Sequence, residues 1–298
     1  MSEYNQYNPV IIIGMHRSGT SLLCRIIEKM GVFMGLDKEF NNESLFFLKF
    51  NDWILQQANA TWDNIYNFKF IDNRFLDMME SLARIHLKSL EAKNYMGIDN
   101  YLKYKSFFKL DFPWGWKDPR NTFTLDIWLR IFPKAKILHI YRHPLDVALS
   151  LKTRSERAMC KELTQNYKYR ALLGGCYNTG FRYTVSMRVL DINESVKLYI
   201  DYVTKALKYS EYKDIKDQII NIKYEDFVDT TPNILTKIAK FLDIDCDDKT
   251  ILYLADYINN NRKFSFLENE ELVELNQKLL SNNNTYNNLL SKLGYITG

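Results

Sequence analysis

PVIIIGMHRSGTSLL, residues 9–23, joins an apolar run to a loop bounded by two glycines and to the start of a helix. Val10–Ile13 are β-branched without polar alternation, which predicts a central parallel strand covered on both faces. Gly14 and Gly19 bound a sharp turn, and the helix behind it has one apolar stripe that ends at Gly31. Backbone N–H groups in such a turn converge on an anion, together with the positive end of the helix. The stretch therefore predicts a phosphate or sulfate site.

This loop differs from a Walker A box, G-x-x-x-x-G-K-[ST], in the position of its cation. Thr20 occupies the place of the Walker lysine, and Arg17 comes two residues before Gly19 instead. A cation in that place suits a nucleotide whose transferred group lies one position nearer to the nucleoside than a γ-phosphate. The nucleotide 3′-phosphoadenosine 5′-phosphosulfate (PAPS) is such a donor. Short glycine motifs also match by accident, so a strand–turn–helix unit that binds no ligand remains an alternative at this point.

A second motif, AKILHIYRHPLDVALSL, covers residues 135–151. Lys136–Tyr141 is again strand-like, Arg142 follows at its carboxyl end, and Pro144 suits the first turn of the next helix. Ser150 comes eight positions after Arg142, two turns along that helix. An arginine donates two parallel hydrogen bonds to a phosphate, and a serine hydroxyl donates one more. The spacing predicts that both side chains bind one phosphate.

GMHRSGTS and YRHPLDVALS together resemble the PAPS-dependent sulfotransferase family, in the branch whose loop reads HRSGTS. The resemblance implies an α/β fold, with a P-loop-like parallel β-sheet flanked by helices, in a single domain over residues 1–298. It also implies that Arg142 and Ser150 bind the 3′-phosphate of PAPS. The residues implied for the 5′-phosphosulfate are Arg17, Ser18, Gly19, Thr20 and Ser21.

Sulfuryl transfer needs a cation to neutralise the developing negative charge, and Arg17 is the first catalytic candidate because of its place in the loop. WGWKDPR, residues 114–120, matches the order of motifs in this branch and implies a second candidate, a catalytic lysine, Lys117, near the sulfuryl group. The resemblance makes Glu43 the general base, and His16 is its rival. The alternative for Lys117 is a surface lysine without a catalytic role. The alternative for Glu43 is a first-turn charge that complements the helix dipole. The chain departs from the cytosolic branch, which has a lysine where Arg17 stands and a histidine near the strand lysine.

Three further expectations follow from the motifs. Asp118 is expected to be a turn residue or a partner that orients a cation, and not itself the base. Arg262 and Lys263 could fold over the 3′-phosphate, as a basic C-terminal loop does in this family. The segment 167–181 could line the acceptor cleft.

The composition, 46% apolar over 298 residues and 35.4 kDa, is that of a globular chain without a linker. No apolar run approaches the ~18 residues of a membrane span, and the polar N-terminus has no signal-like segment, so we expect a soluble, cytoplasmic protein. The four cysteines form no C-x-x-C pair and the four histidines have no ligand spacing, which predicts reduced thiols and no metal.

Positive charge is concentrated in the middle of the chain: residues 101–170 contain fifteen Lys or Arg against six Asp or Glu, whereas the net charge of the chain is only +4. Such a region suits a polyanionic donor and would also suit an acidic acceptor. Nucleic acid is disfavoured because no nucleic-acid-binding motif accompanies the charge.

The function predicted is transfer of a sulfuryl group from PAPS to a hydroxyl or amine, with release of adenosine 3′,5′-bisphosphate. The acceptor is a small molecule, a carbohydrate or a lipid, and the sequence does not name it; nor does it give the oligomeric state. A P-loop kinase is disfavoured by Thr20 in the lysine position. A non-catalytic nucleotide- or polysaccharide-binding protein of the same fold is the other alternative.

Overall fold

The computed structural model describes residues 7–165, 186–258 and 262–296. Within these residues, four strands form one parallel sheet in the order β2-β1-β3-β4. The predicted α/β fold with a parallel sheet is therefore confirmed. The strands are β1 Val10–Ile13, β2 Gly115–Lys117, β3 Lys136–Tyr141 and β4 Ile219–Lys223.

Helices flank the sheet, and their apolar stripes account for their positions. The apolar periodicity of the sequence predicts helices over residues 75–90 and 231–242. The second is found over these residues. The first covers Asn73–His86, and it begins earlier because the side chain of Asp72 caps it by accepting from the Phe75 N–H. The segment 167–181 lies outside the described residues. The α-helices are α1 Thr20–Lys29, α2 Leu45–Gln57, α3 Asn73–His86, α4 Ala92–Met96, α5 Ile98–Tyr104, α6 Asn121–Ile131, α7 Pro144–Gln165, α8 Ile192–Glu211, α9 Tyr224–Asp229, α10 Thr231–Leu242, α11 Asp248–Asp256, α12 Glu270–Asn282 and α13 Asn284–Lys292.

The chain forms two compact units. The first comprises Met1–Arg142 and Tyr202–Lys263, and the second comprises His143–Asp201 and Phe264–Gly298. The first contains the sheet, and its core packs β1 and β3 against α1, α10 and α11. In the second, side chains of α7, α12 and α13 share an apolar core. A single domain over 1–298 stays a prediction. None of the helices in the described ranges is long and apolar enough to cross a membrane.

The strand register brings three predicted site segments to one edge of the sheet. Ile12 pairs with Lys117 at the end of β2, and Ile13 pairs with His139 of β3. The loop after β1, the end of β2 and the residue after β3 therefore all lie beyond the carboxyl ends of parallel strands, where ligands bind in open α/β sheets.

The close approach of two strand ends at Gly14 gives a first prediction. Gly14 and Gly31 both have positive φ, 137° and 98°, so alanine costs about 1 kcal/mol at each. A Cβ on Gly14 would also lie 2.3 Å from the Ile140 carbonyl oxygen, whereas one on Gly31 meets no described atom within 4 Å. Urea unfolding should give Gly14→Ala an additional loss of about 2 kcal/mol or more. Equal losses in the two variants would contradict this packing.

Candidate active site

The loop between β1 and α1 is fixed by its own hydrogen bonds. The Gly14 N–H donates to Thr122 Oγ1 at 3.2 Å, and Ser18 Oγ donates to the carbonyl oxygens of Met15 and, at 3.3 Å, Ile140. Arg17 has φ of 72°, in the left-handed region. These bonds connect the loop to α6, through Thr122, and to β3, through Ile140.

The first turn of α1 presents unused donors. No described acceptor takes a hydrogen bond from the backbone N–H groups of Thr20, Ser21 or Leu22, which are among the groups that a helix cannot satisfy itself. Gly19, in the left-handed region at the N-cap, lies against the ring of Tyr224, so that a Cβ there would be 2.6 Å from Tyr224 Cδ2. The predicted anion loop is thus a donor-rich helix N-terminus with little room for side chains behind it.

Lys117 and Glu43 meet beside this loop in a buried ion pair. Lys117 Nζ lies 3.0 Å from Glu43 Oε1 and 3.4 Å from Ser21 Oγ. Lys117 is 1% exposed and Glu43 is 5% exposed. The structure therefore brings three of the predicted site residues together from β2, α1 and the segment before α2. It also excludes the plain alternative in which Lys117 is a surface lysine.

The two oxygens of Glu43 have different surroundings. Oε1 accepts from Lys117, whereas no group in the described part of the chain donates a hydrogen bond to Oε2. Burial raises the pKa of Glu43, and Asp118 adds to that effect; Lys117 and Arg120 oppose it. A carboxylate with one open oxygen and a raised pKa has the properties of a general base.

The Asp118 carboxylate is bonded to a neighbouring cation, Arg120, and its role in orienting that cation stays a prediction. Its Oδ1 accepts from both the backbone N–H and Nη1 of Arg120, each at 3.0 Å, and its Oδ2 accepts from Asn51 Nδ2 at 2.9 Å. Asp118 is fully buried. Both carboxylate oxygens are thus used to hold neighbouring side chains.

Sequence reasoning assigned no role to Asn51 or Arg120. Asn51 is fully buried in α2, and its Nδ2 also donates to Asn121 Oδ1 at 2.8 Å. Its Oδ1 accepts from Thr124 Oγ1 at 2.8 Å and Trp128 Nε1 at 2.9 Å. The sequence signal for Asn51 was its position on the apolar stripe of α2. A buried amide there needs hydrogen-bond partners, which indicates a buried polar network.

His16, the rival base, lies in an aromatic environment. It is 8% exposed, and its ring centroid lies 4.7 Å from that of Trp62 and 6.2 Å from that of Tyr202, both in edge-on geometry. Tyr202 in turn donates to the Trp62 carbonyl oxygen at 2.8 Å. These rings fix the orientation of the imidazole.

Arg142 follows β3 and is 7% exposed. Its Cζ lies 4.9 Å from the centroid of the Tyr224 ring, the same ring that covers Gly19, and its Nη2 donates to the Arg262 carbonyl oxygen. Tyr224 therefore contacts both predicted phosphate-binding segments. Lys263 pairs with Asp229. Ser150 lies in α7 of the second unit.

No group of three or more His, Cys, Asp or Glu that could hold a metal ion occurs among the residues that the structure describes. The expectation of metal-free transfer stays a prediction.

Residues 9–248 match the family described as the sulfotransferase family. The chain belongs to that family. The match includes the loop after β1, Glu43, Lys117, Arg142 and Ser150. Arg262 and Lys263 lie beyond it. The narrower resemblance to the branch with the HRSGTS loop stays a prediction.

Several solved structures are similar to this sulfotransferase. The sulfotransferase domain from the curacin biosynthetic pathway has 16% identity, with 99% of this chain and 100% of that chain covered and a TM-score of 0.49. A sulfotransferase from Alicyclobacillus acidocaldarius has 14% identity, 96% and 95% covered and a TM-score of 0.45. Retinol dehydratase, in complex with androsterone and the inactive cofactor PAP, has 17% identity, 84% and 64% covered and a TM-score of 0.36. No curated protein matches the sequence significantly.

Removing one partner of the buried ion pair should destabilise the fold more than removing both. Lys117→Met leaves the Glu43 carboxylate buried without its nearest cation, so the free energy of unfolding at pH 7 should fall by about 3 kcal/mol. Adding Glu43→Gln should recover part of that loss, because the buried carboxylate is then gone. Urea unfolding of both variants measures the difference; a double variant less stable than Lys117→Met would contradict it.

The pH dependence of Lys117→Met follows from the same pair. Burial already raises the pKa of Glu43 above its ordinary value of 4.5, and loss of Lys117 raises it further. A group whose pKa is raised in the native state stabilises the fold at low pH, and this stabilisation is lost as the pH rises through that pKa. The deficit of Lys117→Met against the wild type should therefore shrink between pH 8 and pH 5. A deficit that is constant over this range would show that Glu43 does not titrate there.

Proposed function

We propose that this sulfotransferase moves a sulfuryl group from PAPS to a hydroxyl or amine of a small-molecule, carbohydrate or lipid acceptor, and releases adenosine 3′,5′-bisphosphate. The observation that carries the proposal is the contact among Ser21, Lys117 and Glu43. It places a buried cation and a carboxylate with one open oxygen beside the helix N-terminus. Membership of the sulfotransferase family supports the reaction class.

The described residues fit a donor with phosphate and sulfate groups. The free N–H groups at the start of α1, together with Arg17 and Ser18, would hold the 5′-phosphosulfate. Arg142, which Tyr224 and the Arg262 carbonyl oxygen hold in place, would bind the 3′-phosphate. Ser150, Arg262 and Lys263 are proposed for the same phosphate on the sequence pattern alone. When bound, PAPS supplies the sulfuryl group and a nucleotide leaving group.

Lys117 and Glu43 have complementary tasks in this proposal. Negative charge develops on the oxygen that leaves as the sulfuryl bond breaks, and Lys117, together with Arg17 of the loop, would neutralise it. Glu43 Oε2 would accept the proton from the acceptor hydroxyl, since Oε1 is already bonded to Lys117. Its raised pKa brings the base closer to the acceptor in proton affinity. His16 is the alternative base.

The transfer itself can be tested with the full chain. Incubation with ³⁵S-labelled PAPS and a panel of alcohols, sugars, phenols and amines should move label to at least one acceptor, with equal release of adenosine 3′,5′-bisphosphate. A chelator should leave the rate unchanged, because side-chain cations would do the neutralising that a metal does in kinases. Phosphate transfer from ATP that needs Mg²⁺, with no transfer from PAPS, would overturn the proposal in favour of a kinase.

Arg142→Ala should weaken binding of adenosine 3′,5′-bisphosphate. A charged hydrogen-bond donor contributes about 1.5–3 kcal/mol, so Kd should rise roughly tenfold to a hundredfold. Ser150→Ala should weaken binding less, since a neutral hydroxyl contributes about 1 kcal/mol. Calorimetry measures both, with Arg130→Ala as the matched control because Arg130 pairs with Asp77 on the exposed side of α6. Wild-type affinity in Arg142→Ala would remove it from the donor site.

Kinetics with two acceptors separate Lys117 from Glu43. Lys117→Met should lower kcat about a hundredfold or more with either acceptor while donor Kd changes little, because its interaction strengthens in the transition state. Glu43→Gln should abolish transfer to an alcohol and largely spare transfer to an acidic phenol, which ionises without a base. Equal losses with both acceptors would promote His16 to the base; a large rise in donor Kd for Lys117→Met would reduce that lysine to a binding contact.

A further inference from the structure

Arg120 lies between the proposed base and two other carboxylates. Its Nη1 is 3.0 Å from Asp118 Oδ1 and 3.7 Å from Glu43 Oε2, and its Nε is 3.7 Å from Asp52 Oδ1. Only 12% of its side chain is exposed. One guanidinium nitrogen, Nη1, therefore lies close both to Asp118 and to the open oxygen of Glu43.

A buried network fixes the guanidinium in this place. Asp118 accepts from Arg120 through one oxygen and from Asn51 through the other. Asn51 is itself bonded to Asn121, whose Nδ2 donates to the Ile12 carbonyl oxygen at 3.3 Å. Arg120 is thus connected to β1 through a chain of side chains that are all fully buried. Such a network resists rotation of the guanidinium, because a rotated arginine would leave Asp118 buried with unmet acceptors.

The 3.7 Å separation from Glu43 has a specific consequence. It exceeds hydrogen-bond length, so Arg120 acts on Oε2 through its charge and does not occupy a lone pair of that oxygen. Lys117, in contrast, occupies Oε1 with a hydrogen bond at 3.0 Å. A proton from an acceptor can therefore reach Oε2 while the carboxylate remains between two cations.

We infer that Arg120 is a positioning residue that keeps Glu43 ionised, with Oε2 directed to the acceptor, and so sets the pH above which Glu43 accepts a proton. The inference depends on the proposed role of Glu43 as the base. The charged and titratable groups that act on Glu43 are Lys117 from β2, Arg120 and Asp118 from the turn between β2 and α6, and Tyr202 from α8. Asp52 of α2 acts on Arg120.

Two substitutions should move the titration of Glu43 in opposite directions. Arg120→Met removes a cation about 4 Å away, so the pKa of Glu43 should rise by about one pH unit or more. Asp52→Asn removes the carboxylate that partly neutralises Arg120, so Arg120 lowers the pKa of Glu43 more, and that pKa should fall by a few tenths of a unit. Asp52 is 33% exposed at its side chain, so this variant should fold.

The measurement is NMR titration of the full chain labelled with ¹³Cδ-glutamate, with Glu43→Gln to identify the signal. Arg130→Met and Asp77→Asn are the matched controls, since they break an ion pair at the far end of α6 and should leave Glu43 unchanged. No rise in Arg120→Met, or a rise in Asp52→Asn, would overturn the inference. If Arg120→Met does not fold, Asp52→Asn decides it, with Arg120→Lys expected to keep the wild-type titration.

The acid limb of the pH profile of kcat/KM should move in the same order. It should move to higher pH in Arg120→Met, return close to the wild-type position in Arg120→Lys, and move to lower pH in Asp52→Asn. The Kd of adenosine 3′,5′-bisphosphate should stay within about twofold of the wild type in all three variants. A uniform loss at every pH would assign Arg120 a structural role only and overturn the inference. The titration needs no turnover, so a wild type without sulfuryl transfer would defeat the proposed function and still leave the effect of Arg120 on Glu43 measured.

Discussion

The buried ion pair between Lys117 Nζ and Glu43 Oε1, at 3.0 Å, is the interaction on which the site depends. Removing two charges from water costs several kcal/mol for each ion, and mutual attraction offsets this only when further hydrogen bonds and charges complete the geometry. Here Ser21 lies 3.4 Å from the lysine, and Arg120 faces the second oxygen of the glutamate. The surrounding polar network can therefore be understood as the compensation that this pair requires.

The parallel sheet makes the pair possible. Lys117 and Glu43 are 74 residues apart in sequence, and Lys117 and Ser21 are 96 apart. They meet because β1 and β2 are neighbours in register, and because strands that run in one direction deliver their following residues to one edge. β2 has three residues, all of them buried and paired with β1. It ends at Lys117, opposite Ile12.

Sequence alone predicted the parts with strong local signals. Val10–Ile13 and Lys136–Tyr141 are strands because consecutive β-branched and apolar residues favour a sheet buried on both faces, and the loop between Gly14 and Gly19 followed from its glycine spacing. Glu43 was named only through family resemblance. Its contact with Lys117, and the parts played by Asn51 and Arg120, could not be read from local pattern, because they depend on which strands pair and on how deeply α2 and α6 pack.

The central claim, the proposed donor site, is tested most directly by calorimetric titration of the wild type with adenosine 3′,5′-bisphosphate and, separately, with ATP and Mg²⁺. Both nucleotides offer a phosphate to a helix N-terminus, but only the bisphosphate has the 3′-phosphate for which Arg142 is proposed. We expect one site for the bisphosphate in the presence of chelator, and no comparable binding of ATP with Mg²⁺. Binding of ATP with Mg²⁺ and none of the bisphosphate would contradict it.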